Sequence, residues 1–302
     1  MTATAIILIV ISSAMHAGWN LIGKRAHPSA AFFLVANGLG CAVLGVVLIP
    51  YGQVVRHITP EVWALLVCTG VCQMTYFVGL AGAYRHGHMS VAYPLARSLP
   101  VVAVALMAFA LGRGDSLDTA TLTGMALVVA GGVLLPMAHF RDLRLKNYWN
   151  RSCALALVAA AGTTGYSLFD DAALSRLRAA PALPVSGAEA TLVYAFFEGV
   201  TSCLFLALFV FPRKEGRKDL REVWRGNKVQ MAVAGVAIYL TYSLVLIAFG
   251  FVDDVSYAVA FRQLSIPMGA LAGVMVLREP AHAPKFVAVA IMFAGLVLVA
   301  VG

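Results

Sequence analysis

The sequence predicts an all-α membrane protein of ten transmembrane helices, built as two inverted five-helix repeats over residues 1–145 and 146–302. Three observations carry this. Hydrophobic residues make up 61% of the 302, charged residues only 12%, and mean hydropathy is +0.86; ordinary soluble domains carry about twice that charge fraction. Ten apolar stretches, near 3–22, 30–50, 61–82, 90–111, 119–137, 152–169, 190–211, 229–250, 255–277 and 284–301, fill the chain between short polar breaks. Each is long enough for a helix to cross a hydrocarbon core of about 30 Å at 1.5 Å per residue. The third observation is internal similarity between the two halves.

Hydrocarbon offers no water to backbone amides, so segments that cross it close their hydrogen bonds within a helix. Span one has no basic leader and continues to Lys24-Arg25, which separates it from a cleaved signal peptide. It carries His16 and Asn20, four apart on one face, with Trp19 beside them. Span three carries Gln73 and Tyr76, and span four Tyr93 and, one turn on, Arg97. Tyr166 and Asp170 stand near the end of span six, and Glu198 is the one acid well inside a span. Span eight shows a stripe of Tyr239, Tyr242 and Ser243; in span nine Tyr257 precedes Arg262. Tyr51 and Tyr84 read as interfacial belt residues. Asp253-Asp254 read as a solvated turn, and Gly131, Gly132 and Gly295 as close-packing positions.

Spans four and five resemble spans nine and ten. Ser90-Val91-Ala92-Tyr93-Pro94, Arg97 and Pro100 precede an apolar run; Ser256-Tyr257-Ala258-Val259, Arg262 and Pro267 precede another. Duplicating an odd number of spans inverts the second copy, an architecture suited to alternating access. Of the 22 Lys and Arg, sixteen lie at the loops after odd-numbered spans, seven of them between Arg213 and Lys228, and four at the loops after even-numbered spans. The positive-inside rule then puts both termini outside the cytoplasm.

Arg97 and Arg262 are each the eighth residue of a span, about 10 Å inside the starting face. An arginine at mid-span costs about 2.5–3.5 kcal/mol on insertion scales. A substrate anion gripped by the guanidinium would offset that; so would a structural pair with Glu198, Asp170 or carbonyls freed by Pro94, Pro100 and Pro267. Both readings stand on the sequence alone. Glu198 reads as an arginine partner or as a proton-coupling carboxylate, His16 as a proton carrier or a packed hydrogen-bonding residue. Tyr76, Tyr93, Tyr239 and Tyr242 lie deep enough to line a cavity. Cys41, Cys68, Cys72, Cys153 and Cys203 read as buried thiols, and no metal cluster, nucleotide loop or nucleophile–base motif is expected. The charge of +8 sits in short loops beside apolar helices, which argues for membrane topology over nucleic acid.

Ten spans in a five-plus-five duplication, Ala14-Met15-His16-Ala17-Gly18-Trp19-Asn20, and the Ser90–Pro100 run resemble the EamA-type transporters of the drug/metabolite transporter superfamily. The resemblance covers essentially the whole chain. It departs where Leu111-Gly112-Arg113 replaces the expected Leu-Gly-Glu, leaving Glu279 as the matching acid, and where the loop charges place the termini outside. Small drug-pumping relatives use a glutamate in the first helix, and span one has none. The resemblance implies a secondary transporter of the bacterial inner membrane, without catalysis or cofactor, exporting a small polar or anionic metabolite by alternating access. Its partners would be the small-molecule substrate, the lipid bilayer and the proton as candidate coupling ion, with the oligomeric state, monomer or weak dimer, left open. The substrate site would draw on Arg97, Tyr93, His16, Trp19, Asn20, Tyr76, Gln73, Tyr239, Tyr242, Tyr257, Arg262 and Glu198. The alternative is an exporter of neutral or aromatic amino acids in which the arginines are structural.

Overall fold

A computed structural model describes residues 2–110, 119–180, 183–249, 251 and 261–301, and among these the regular structure is helical throughout. The principal helices are α1 (Ala3–Ala26), α2 (Ala30–Leu44), α3 (Pro60–His86), α4 (Met89–Ala110), α5 (Thr119–Leu134), α6 (Arg151–Arg178), α7 (Gly187–Val210), α8 (Lys214–Gly226), α9 (Lys228–Phe249), α10 (Ser265–Met275) and α11 (Ala283–Val301). Seven segments are long and apolar enough to cross a membrane: α1, the run from Ala30 through short helical turns to His57, α3, α6, α7, most of α9, and α11. The chain is a multi-pass α-helical membrane protein. Apolar helices also cover Met89–Val104, Thr119–Leu134 and Ser265–Met275. The sequence segments Leu111-Gly112-Arg113, Asp253-Asp254 and Ser256–Val259, with Tyr257, lie outside the described residues.

The helix starts follow local chemistry. Thr2, Ser29, Thr59 and Asn150 each turn a side-chain oxygen onto a backbone N–H of the first turn, satisfying donors that have no partner within the helix. Ser186 and Glu189 form a reciprocal capping box at α7. Helices α3 and α6, of 27 and 28 residues, span about 40 Å each and outrun the sequence-predicted limits at both ends. The segment after α7 folds as α8 rather than a plain loop: Val223 is buried, Trp224 stands out, and six basic residues crowd its solvent side between Arg213 and Arg225. This is the pattern of a helix lying along an interface. Arg85, at the end of α3, holds Asp219 of α8 through both carboxylate oxygens at 3.0 Å. The ends of α1, α3 and α7 and the starts of α4, α6 and α9 thus share one basic face.

The closest packing pairs α3 with α6, α5 with α11, α1 with α9 and α2 with α9; α4 packs on α6 and α10, α7 on α2 and α3, and α1 on α10. Lipid tails are as apolar as leucine, so such helices gain from backbone approach rather than from hiding apolar area. Ile7, Val43, Ile49, Leu204 and Leu208 accordingly remain exposed on the outside. Where α2 crosses α9, a Cβ on Gly40 would stand 2.2 Å from the Gly235 carbonyl, and one on Gly235 equally close to the Ala36 carbonyl. Gly124 and Gly295 make the same mutual contact between α5 and α11, at 2.5 and 2.6 Å. Across α1 and α9 the Ser12 hydroxyl donates to the Thr241 carbonyl at 2.8 Å.

Gly235→Val therefore forces two backbones apart and is expected to cost about 1–3 kcal/mol, read as a lower Tm in detergent. Gly18→Ala, with open space around its Cα, should leave Tm unchanged or slightly raised.

Candidate functional site

Inside the bundle lies a cavity of about 630 Å³, within the size range of small-molecule sites. Its floor is His16 and Trp19 on α1, whose rings meet edge-on with centroids 5.1 Å apart. From there its walls run away from the basic face to Leu174, near the end of α6, and Val299, near the end of α11.

Of the sequence-predicted residues, His16, Trp19, Gln73, Tyr76, Arg97, Glu198, Tyr239, Tyr242 and Arg262 line this one space. Six separate segments contribute them, so only the tertiary fold makes them neighbours. Tyr93 and Asn20 sit beneath the floor. Tyr93 is buried against His16, with ring centroids 6.2 Å apart, and in the notch left by Gly269. Asn20 is fully buried; its amide oxygen accepts from the Tyr84 hydroxyl at 2.8 Å and its NH₂ donates to the His16 carbonyl. Tyr84 is thus a core residue rather than part of an interfacial belt. Tyr257 lies outside the described residues.

The cavity also takes residues that sequence reasoning left out of the site: Asn37, Thr163, Tyr166, Asp170, Tyr194 and Gln263. Tyr166 and Asp170, four apart on α6, carried a signal, namely polar side chains one turn apart in an apolar span. Asn37 and Tyr194 carried little, because their helices are apolar on all sides.

The charges in this cavity are not paired with each other. Among the described residues no ion pair involves Arg97, Arg262, Glu198 or Asp170. Glu198 instead accepts from the Gln73 amide through Oε1. Asp170 accepts from the Thr69 and Tyr194 hydroxyls, both at 2.7 Å and both through Oδ1. The arginine partnership expected for Glu198 is replaced by a neutral amide, since Gln73 on α3 lies nearer than either guanidinium. His16 Nε2, Trp19 Nε1, Arg97 Nε and Gln263 Oε1 are buried without a hydrogen-bond partner. Native structures hold few such atoms, and each costs free energy until something satisfies it.

Between the cavity floor and the basic face lies a latch of charged side chains on helix ends. Glu279, just past α10, is buried, and its two oxygens accept from the backbone N–H groups of Met89 and Ser90 at 2.7 and 2.8 Å. A carboxylate on the first turn of a helix meets unpaired donors and the positive end of the dipole. Gly273 leaves the room: a Cβ there would stand 2.7 Å from the carboxylate. Lys285 donates to Ser90 Oγ at 2.8 Å and to the Pro280 carbonyl. Lys24 donates to the carbonyls of Tyr84 and Gly87 that close α3. The turn carrying Glu279 needs Arg278 at φ 55°, a left-handed conformation that costs a side-chain-bearing residue about 1–2 kcal/mol. His88, beside the latch, is held below its ordinary pKa chiefly by burial, with the Glu279 carboxylate opposing.

No family model and no curated protein matches this chain. A solved crystal structure, described in no more than the words "Crystal structure of protein", superposes at a TM-score of 0.52 over 99% of this chain and 96% of its own, with 18% sequence identity. The likeness is one of overall fold.

Glu279→Ala removes the shared acceptor from two buried N–H groups and is expected to cost about 2–4 kcal/mol. The readouts are Tm and faster amide exchange at residues 88–91.

Proposed function

We propose that this chain is a secondary transporter of the EamA-type drug/metabolite kind, seated in a bacterial inner membrane, and that it moves a small polar or anionic solute by alternating access, outward from the cytoplasm. The observation that carries this reading is a solute-sized cavity walled by two arginines with no acidic partner among the described residues. A guanidinium held inside an apolar bundle calls for an anion or for water. A cavity that reaches it from one face supplies the route for both.

The packing supports two inverted halves of five spans, with α8 as an interfacial insertion in the second. Exchanging the halves turns the α1–α9 contact into α6–α3, α2–α9 into α7–α3, and α1–α10 into α6–α4; the pairs α2–α7, α4–α10 and α5–α11 map onto themselves. Ten spans result when Met89–Val104, Thr119–Leu134 and Ser265–Met275 are counted with the seven longer segments. With the basic face in the cytoplasm, the latch around Glu279 closes the inner side and the cavity faces outward. Opening would release Glu279 from α4 and close the opposite end. Glu198 and Asp170 give a proton, as coupling ion, a place to bind within the same cavity. The reading in which the arginines are structural is less favoured, because among the described residues neither arginine has an acidic partner.

The test is transport by purified protein in liposomes, screened with labelled organic anions and amino acids. Arg97→Ala is expected to lower transport of the accepted solute at least about a hundredfold, a loss in keeping with a buried charged contact, while the protein stays folded. Arg97→Lys should restore only part of it, since an ammonium cannot make the bidentate grip. Wild-type rates in Arg97→Ala would exclude the anion site.

A further inference from the structure

The cavity has two charge poles at different depths, and their spacing specifies a substrate more narrowly than a single anion site does. Helices α4 and α6 leave the basic face level with each other: Ser152 at the start of α6 donates to the Ala83 carbonyl at 2.9 Å and abuts Gly87, two residues before α4 begins at Met89. Arg97 stands eight residues up α4 and Asp170 nineteen residues up α6, so their backbone levels differ by about 16 Å at 1.5 Å per residue. Glu198 is bonded by Gln73, whose neighbour Cys72 abuts Gly165 of α6; its level is about 9 Å above that of Arg97. Arg262 lines the same cavity as Arg97 and is assigned to the arginine pole.

Between the poles the wall is aromatic. Tyr76 and Tyr166 meet edge-on with ring centroids 6.0 Å apart, and Tyr242 lines the same space. The acids are set up to meet a donor. Glu198 spends one oxygen on a neutral amide and Asp170 one oxygen on two neutral hydroxyls, and among the described residues none donates to the second oxygen of either. Neutral donors orient a carboxylate without cancelling its charge, and tyrosine faces beside it attract a cation.

Resting on the transporter reading above, we infer that the substrate is an elongated zwitterion: a carboxylate or similar anion held at Arg97 and Arg262, an ammonium held at Glu198 and Asp170, and a short apolar or aromatic body against the tyrosines between. An α-amino acid, with both charges on one carbon, reaches one pole at a time.

Isomers test this directly, in binding rather than transport. Purified protein in detergent is titrated with 6-aminohexanoate, its isomer norleucine, hexanoate (anion alone) and hexylammonium (cation alone) by calorimetry. The expected result is that 6-aminohexanoate binds at least about tenfold more tightly than each of the other three, one charged contact being enough for that factor. Arg97→Gln should bring its affinity down to that of hexylammonium, and Glu198→Gln down to that of hexanoate. Arg262→Gln and Asp170→Asn serve if either first variant fails to fold. Norleucine binding as well as 6-aminohexanoate overturns the inference, as does the absence of any 6-aminohexanoate binding at millimolar concentration. Hexanoate binding equally well, in a manner lost in Arg97→Gln, also overturns it while leaving the anion-transport reading intact.

Discussion

A guanidinium group is always charged and, inside an apolar bundle, needs water or an opposite charge beside it. Arg97 and Arg262 line a cavity and pair with no acid among the described residues, and the rest of the interior follows from it. The helices around them close-pack through glycine contacts at Gly40–Gly235 and Gly124–Gly295, which hold the bundle together without filling its centre. The two acids of the same space are kept apart from the arginines by Gln73, Thr69 and Tyr194. Were Glu198 to reach either arginine, the pair would collapse the charge separation and leave an ordinary buried ion pair, which contributes little to stability.

The two ends of the cavity are built differently. On the basic face, charge is used to close: Glu279 and Lys24 sit on helix ends, where unpaired backbone groups and the dipole favour them. Each of these contacts joins separate helices at a turn, and each can be broken by a small rotation of one helix pair against another. Strain at Arg278 is held in the same turn. Such an arrangement suits an element with two states of similar free energy, in which closure depends on a few hydrogen bonds rather than on a large apolar surface.

The membrane class and most of the helices were legible in the sequence, and nine of the twelve residues singled out there line one cavity. Length and apolarity are summed along a segment, and a polar residue inside an apolar run costs enough to mark itself. The helix α8 escaped notice because a dense basic run reads as a solvated loop until Val223 is seen to be buried. Asn20 and Tyr93 looked like wall residues because they share a helix with His16 and Arg97. Each lies one turn nearer the basic face on the same side of its helix, which puts it under the floor, where Tyr84 and Gly269 receive them.

The sequence by itself determined that the chain crosses a membrane many times and that Arg97, Arg262 and Glu198 lie where charge is expensive, because hydrocarbon penalises every unpaired polar group. Tertiary structure alone decided which of these meet. Helices that are apolar on nearly all sides carry no stripe to fix their rotation, so neither the pairing of Glu198 with Gln73, nor the admission of Asp170, Tyr166 and Gln263 to the cavity, nor the reach of Glu279 to the first turn of α4 could be read from spacing along the chain.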